Sequence, residues 1–196
     1  MANTKKIKQT IEKTLNESSK TIECIGDLSN EIDKSVNLII KALIKNKKII
    51  ILGNGGSAAD AQHIAAEFLG RYQLKRKSIP AVALTSNSST TTAIANDYDF
   101  SDIFSRQCES LVSKDDIVIG ISTSGNSQNV IKGLKTSKKN GGSTIGLLGN
   151  NGGKIKNIVD ISLVVNSTSV PRIQEAHRVI YHIICEIVEE ELAGIE

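Results

Sequence analysis

Cysteine is scarce in this chain, and tryptophan, long apolar runs and a marked excess of either charge are absent. Its three cysteines, Cys24, Cys108 and Cys185, stand far apart. An odd, dispersed set builds no disulfide framework. With no Cys-x-x-Cys pair it offers no thiolate zinc site either, and each cysteine reads as a buried thiol. Tryptophan is absent. No stretch approaches the ~18 consecutive apolar residues of a membrane span. The first ten residues are polar and lysine-rich, unlike the apolar heart of a secretory leader. The expectation is a cytoplasmic protein with no membrane partner. Charge is nearly balanced, 24 Lys+Arg against 21 Asp+Glu, a net of +3. Basic residues gather only in short groups such as Lys45, Lys47 and Lys48, too little for a nucleic-acid-binding face.

What is present suits one domain: 196 residues, 39% of them hydrophobic, enclose a sizeable core. Three parts follow one another, residues 1–46, 47–168 and 170–194. In the first, Ile7, Ile11, Leu15, Ile22, Ile25, Ile32, Val36, Ile39, Ile40 and Leu43 recur at steps of three, four and seven, an amphipathic helix that Gly26 divides in two. From Lys47 the period changes. Continuous apolar runs at 48–52, 79–84, 116–121, 143–148 and 160–165 read as strands covered on both faces. Helical patterns at 57–73, 99–113 and 127–140 lie between them. Strand–helix alternation predicts a parallel sheet in a three-layer α/β domain, with ligands outside the carboxyl ends of the strands. A closing helix is expected from Ile173 to Leu192, after Pro171 as a breaker. The stripe in 3–46, together with Ile180, Ile183, Ile184, Ile187 and Val188, exceeds what one small sheet covers, so a helical core between copies of the chain is expected.

Two loops stand where ligands should bind. Gly53-Asn54-Gly55-Gly56-Ser57 follows the first strand, and Ser122-Thr123-Ser124-Gly125-Asn126-Ser127 follows the third. Each reads as strand, small-residue turn and helix start, a layout that offers free N–H groups and a positive helix end to a phosphate. The first loop lacks the third glycine and the acidic strand end of a dinucleotide fingerprint, and it lacks the Lys-Ser/Thr of a Walker loop. Glycines there also serve simply to turn the chain, and the serines of the second loop also suit a helix cap. His63 and Glu67, four apart, share a helix face, as a surface pair would too. His182 on the apolar last helix also suits a core histidine. Asn96-Asp97 also suits a plain turn.

Taken together, these stretches resemble a known family. Gly53-Asn54-Gly55-Gly56-Ser57, Ala61-Gln62-His63-Ile64-Ala65-Ala66-Glu67, Gly70-Arg71-Tyr72, Ala95-Asn96-Asp97, Ser122 to Ser127, and Arg172-Ile173-Gln174-Glu175 with His177 and His182 resemble the sugar isomerase (SIS) domain of phosphoheptose isomerases. The resemblance runs through nearly the whole chain. It implies a flavodoxin-like sheet with an N-terminal helical extension. It also implies a homotetramer that interconverts sedoheptulose 7-phosphate and D-glycero-D-manno-heptose 7-phosphate for heptose precursors of cell-surface carbohydrate. One Zn2+ per subunit is implied on His63, Glu67, Gln174 and His182. Substrate contacts are implied at Asn54, Gly55, Gly56, Ser57, Glu67, Asn96, Asp97, Ser122, Thr123, Ser124, Ser127 and Gln174. Where several members carry an acidic residue just before Arg-Ile-Gln-Glu, this chain has Pro171.

An aldose–ketose isomerase needs a base over the carbon and an acid or electrophile at the carbonyl oxygen. Glu67 is the expected base and His182 the expected acid. A relative, the DnaA initiator-associating protein, resembles a scaffold without that Glu and second His; this chain keeps both. Non-catalytic sugar-phosphate binding and isomerisation of another sugar phosphate are the competing readings.

Overall fold

The structure, a computed structural model, describes residues 4–193. Residues 1–3 of the expected N-terminal part and 194 of the expected C-terminal helix lie outside them. Five strands form one parallel sheet: β1 Ile49–Gly53, β2 Ala81–Ala83, β3 Ile117–Ser122, β4 Ser143–Gly149 and β5 Ile161–Val165. Their order is β2-β1-β3-β4-β5, the flavodoxin-like order, in which the progression of strands across the sheet reverses between β1 and β3. Register is continuous there, Ile49 facing Ile117 and Gly53 facing Ile121. Every residue of β1 and β3 is buried, as continuous rather than alternating apolar runs require. Edge strand β2 is shorter than the apolar run from 79 to 84. Pro80 has no N–H to give the ladder, although its carbonyl accepts from Ile49 N at 2.9 Å.

The helices are α1 Thr4–Glu23, α2 Ser29–Ile44, α3 Gly56–Leu69, α4 Ser88–Asp97, α5 Ser105–Leu111, α6 Gln128–Lys139 and α7 Val170–Ala193. A 3-10 turn over Cys24–Leu28 separates α1 from α2, so the break falls at Gly26 as its sequence implies. One core layer packs α2, α3 and α7 on one face of the sheet, through Ile39, Ile64, Phe68, Ile173, Ile180 and Val188. The other packs α5 and α6 through Phe104, Cys108, Val130 and Leu134.

Several expectations need correction. Cys108 and Cys185 are buried, but Cys24 is exposed. α3 ends at Leu69, short of 73. The helix expected over 99–113 is a 3-10 turn at Phe100–Asp102 followed by α5. Helix α4 has no counterpart among the expected elements, because Ser88-Ser89-Thr90-Thr91-Thr92 has neither helix propensity nor an apolar stripe. Asn87 starts it: its side chain accepts from Thr90 N at 2.9 Å, an N-cap. Finally, Pro171 opens α7 instead of preceding it. A proline in the first turn forfeits no hydrogen bond and arrives with helical φ.

The apolar surface of the last helix is largely used within the chain. Ile180, Ile184 and Val188 are buried at 0, 6 and 0% exposure, contrary to their expected use between subunits. Helix α1 is different. None of its residues is buried, and Ile7, Ile11 and Leu15 are 47, 53 and 63% exposed. It is tied to α7 by polar bonds: Ser18 Oγ donates to Glu175 Oε2 at 2.7 Å, and Arg172 donates to Thr14 O at 3.0 Å.

Candidate active site

Both loops sit at the carboxyl ends of β1 and β3, on either side of the point where strand order reverses. In the first, Gly55 takes φ +55° with no room constraint, a conformation only glycine adopts freely. A side chain on Gly56 would run into the Gln174 amide, so α7 lies directly against this turn. Ser57 is buried beneath it at 4% exposure. In the second loop, Ser122 closes β3, and its hydroxyl lies 3.1 Å from Ser127 Oγ and 3.5 Å from Ser124 Oγ. Gly125, at φ +64°, presses on the backbone of Gly152 and Gly153, which shapes the loop from behind. Asn150 braces Thr123 through its carbonyl at 2.9 Å.

Neither N-cap residue makes a capping hydrogen bond: Gly55 before α3 has no side chain to offer, and the Ser127 hydroxyl before α6 turns to Ser122 instead. In α6 the Val130 N–H is taken by Asn129 Oδ1 at 2.9 Å. The N–H groups ahead of it, the first turn of α3 and the positive end of each helix dipole face the loops, where an anion would sit. The two loops are also fastened together. Asn54 and Asn129 exchange reciprocal amide hydrogen bonds, both 2.8 Å. Asn129 escaped sequence reading because nothing in its local pattern marks it; only the fold brings it to Asn54.

Farther along α3, His63 and Glu67 do share a face, with Nε2 and Oε1 2.8 Å apart. His182 on α7 joins them: its ring centroid lies 5.2 Å from that of His63. One ligand atom from each of His63, Glu67 and His182 falls within 4.8 Å of the other two. Burial pushes the His182 pKa down, neighbouring His63 adds to this, and Glu67 opposes it. The neutral imidazole is favoured, the form a metal requires. Tyr181 and Tyr72 wall the His182 ring, with centroids at 4.7 and 5.7 Å. Gln174 belongs to the regular part of α7. Eight residues separate it from His182, roughly 12 Å of rise, and its amide lies at Gly56.

Asn96 and Asp97 end α4, exposed. Asn96 donates to Asp97 Oδ1 at 2.9 Å, and among the described residues neither bonds to the loops or to the histidine–glutamate group. His177, the third histidine, is fully buried, and burial drives its pKa down to about 4.

Several supporting residues gave no sequence signal. After α3, the segment 70–78 is held by the buried Glu189 carboxylate, which accepts from the backbone N–H groups of Tyr72, Gln73 and Leu74 at 2.6–2.9 Å. Arg76 Nε lies 2.9 Å from Glu189 Oε1, and the guanidinium also donates to the carbonyls of Glu67 and Phe68, each at 2.9 Å. Burial alone would raise the Glu189 pKa; the three N–H groups and Arg76 outweigh it and hold the carboxyl below its ordinary value.

A family model described as the SIS domain matches residues 11–149. The chain is 51% identical over 181 residues to the phosphoheptose isomerase of a Nitratiruptor species, covering 92% of this chain and 97% of that one. The chain belongs to the SIS-domain phosphoheptose isomerase family. It is an isomerase. Among solved phosphoheptose isomerases, the one from Neisseria gonorrhoeae superposes with a TM-score of 0.89 at 37% identity, covering 94% of this chain and 99% of that chain. The one from Francisella tularensis superposes at 0.87 and 32% identity, covering 97% and 100%. The family's fold, with an N-terminal helical stretch, is therefore this chain's fold.

Proposed function

We propose that the protein interconverts sedoheptulose 7-phosphate and D-glycero-D-manno-heptose 7-phosphate, feeding heptose for cell-surface carbohydrate. The observation that carries this reading is the gathering of Glu67, His63 and His182 on α3 and α7, the two helices that also flank the first phosphate loop. One helix, α3, offers its N-terminus to an anion and its later turns to chemistry. Its Gly56 and His63 differ by about 10 Å of rise, so a substrate anchored by phosphate at one end presents its reacting carbons at the other.

In this reading, Asn54, Gly55, Gly56, Ser57, Ser122, Thr123, Ser124 and Ser127 hold the sugar phosphate, with Gln174, Asn96 and Asp97 at its hydroxyls. Binding energy at the phosphate fixes the reacting end. Glu67 takes a proton from C1 of the ketose while His182 gives one to the C2 oxygen, which forms the enediol; Glu67 then returns its proton to C2 as the O1 hydroxyl gives its proton back to His182, which leaves the aldehyde at C1.

Two imidazoles and a carboxylate form a donor set suited to zinc with an open position. His63, Glu67 and His182 would hold the ion, with Gln174 as the further ligand of the family pattern. When bound, zinc supplies Lewis-acid polarisation of the substrate oxygen. The reading further takes the chain as one SIS domain acting in the cytoplasm as a homotetramer. The exposed Ile7, Ile11 and Leu15 on α1 support assembly. No helix among the described residues is long and apolar enough to cross a membrane.

The test is hydrogen exchange. Sedoheptulose 7-phosphate in deuterated water should lose its C1 proton signal in proportion to enzyme. Glu67→Gln, which keeps the shape but cannot accept a proton, should slow that loss at least ~10²-fold while phosphate binding persists. Exchange within a few-fold of wild type would remove Glu67 as the base. Binding without any exchange would leave a non-catalytic sugar-phosphate binder.

A further inference from the structure

Behind the histidine–glutamate group lies a second layer of buried polar groups. Tyr181 is 2% exposed, and Asp60, one turn before His63 on α3, is 3% exposed. The Tyr181 hydroxyl lies 3.2 Å from His63 Nδ1 and 3.4 Å from Asp60 Oδ1. Asp60 Oδ1 is also 3.3 Å from the Arg178 guanidinium, which supplies its counter-charge. Nε2 of the same imidazole faces Glu67. His63 is thus gripped at both nitrogens, from opposite sides.

The direction of the hydrogen bonds along this chain is set by what each group can do. An ionised carboxylate only accepts, and a hydrogen bond to a charged acceptor is stronger than one to a neutral ring nitrogen. Charge outweighs the 0.2 Å by which the nitrogen lies nearer (3.4 against 3.2 Å). The Tyr181 proton therefore points to Asp60, and the phenol oxygen turns a lone pair to Nδ1.

We propose that Asp60 and Tyr181 are positioning residues that hold a proton on His63 Nδ1, so that Nε2 faces Glu67 and His182 as a lone pair for a cation. The reverse arrangement, with Tyr181 donating to Nδ1, would put the ring proton on Nε2 and block it as a ligand. Nε2 stands 2.8 Å from Glu67 Oε1, so both atoms face the place a cation would take, and the Nδ1 proton stays when a cation binds. Partners behind a ligating histidine fix its tautomer and ring orientation in general, and here the partner is a carboxylate acting through a phenol.

The metal half of this inference rests on the zinc reading above; the tautomer half does not. Two measurements separate them. With 15N-labelled histidine, three imidazoles are observed, and His63 is assigned by His63→Gln. Metal-free wild type should carry a proton on His63 Nδ1. Tyr181→Phe, which keeps the buried ring, should shift His63 to the neutral Nε2–H form. Competition against a chelator should then show zinc held about 10–100-fold more weakly by Tyr181→Phe, with Asp60→Asn weakened in the same sense. A wild-type Nε2–H tautomer, or an Nδ1 proton that survives Tyr181→Phe, overturns the proposal. Wild type that binds no zinc at micromolar concentration would sink the metal reading, and the tautomer would still decide the role of Tyr181.

Discussion

Removing one charge from the Glu189–Arg76 clasp tests whether the active site is held from behind. Glu189→Gln keeps shape and one carbonyl oxygen, but it leaves the Arg76 guanidinium, at 4% side-chain exposure, facing a neutral amide. Its new NH2 also points at backbone N–H groups that now share a single acceptor. Breaking a buried ion pair from one side costs about 3–5 kcal/mol. Typical domains hold only about 5–15 kcal/mol in total, so the loss is a large fraction. Urea unfolding followed by circular dichroism, at one fixed protein concentration because association contributes to stability, should show a lower midpoint. Arg76→Gln added to Glu189→Gln removes the stranded charge, so the double variant should lose less than the sum of the singles by about 0.5–3 kcal/mol.

The acid limb gives an independent sign. The Glu189 carboxyl is held below its ordinary value in the folded state. Its contribution is therefore present above that ordinary value and is lost as pH falls through the folded one; the Gln variant should lack this part of the slope. Function should follow. The clasp fixes Tyr72 against His182 and ties Arg76 to the carbonyl of Glu67, and small misplacements of reacting groups cost up to ~10²-fold. A Glu189→Gln variant within about 0.5 kcal/mol of wild type, with an unchanged acid limb, would refute the reasoning.

Three further outcomes are expected. Ser124→Ala with Ser127→Ala should weaken binding of sugar phosphate and of free phosphate alike, each lost bond to the anion being worth roughly 1.5–3 kcal/mol; calorimetry showing normal phosphate binding would make the loop structural only. Lowering pH should destabilise the fold through His177, whose pKa falls from an ordinary 6.5 to about 4 on burial. The unfolded state takes the proton first, so about 3 kcal/mol is lost between those two values; His177→Leu should remove that part of the slope, and an unchanged slope would contradict it. Chelation should lower turnover, with added zinc restoring it, and elemental analysis finding full activity without metal would leave Glu67 and His182 as a metal-free pair.

Much of this architecture was written in local pattern. Apolar runs located all five strands because a sheet covered on both faces leaves no polar alternation to confuse with a helix. The pairing of His63 with Glu67 followed from the spacing of four. What stayed hidden depends on long-range geometry or on overridden propensity. Helix α4 forms from serines and threonines because Asn87 caps it. Arg76 and Glu189 lie 113 positions apart in sequence and look like ordinary surface charges until the fold closes over them. Asn54 and Asn129 find each other only because β1 and β3 are neighbours. Tyr181 reads as one more apolar position on α7, yet its hydroxyl reaches His63.

Three of these hidden residues share a property that explains their placement. Asn129, Tyr181 and Glu189 are buried polar groups whose partners come from another element, and each connects α7 or α6 to the β1–α3 unit: Asn129 to Asn54, Tyr181 to Asp60 and His63, Glu189 to the segment after α3. An apolar interface of leucines and isoleucines tolerates sliding by a fraction of an ångström, because dispersion is non-directional. A buried hydrogen bond does not, since a group left unpaired costs about 1–3 kcal/mol. The isoleucine-rich core between α3, α7 and the sheet thus supplies cohesion, and the polar pairs set the register. Register is what the proposed isomerisation needs, because the carboxylate proposed to take the proton and the imidazole proposed at the oxygen arrive from different helices and must meet the same two carbons.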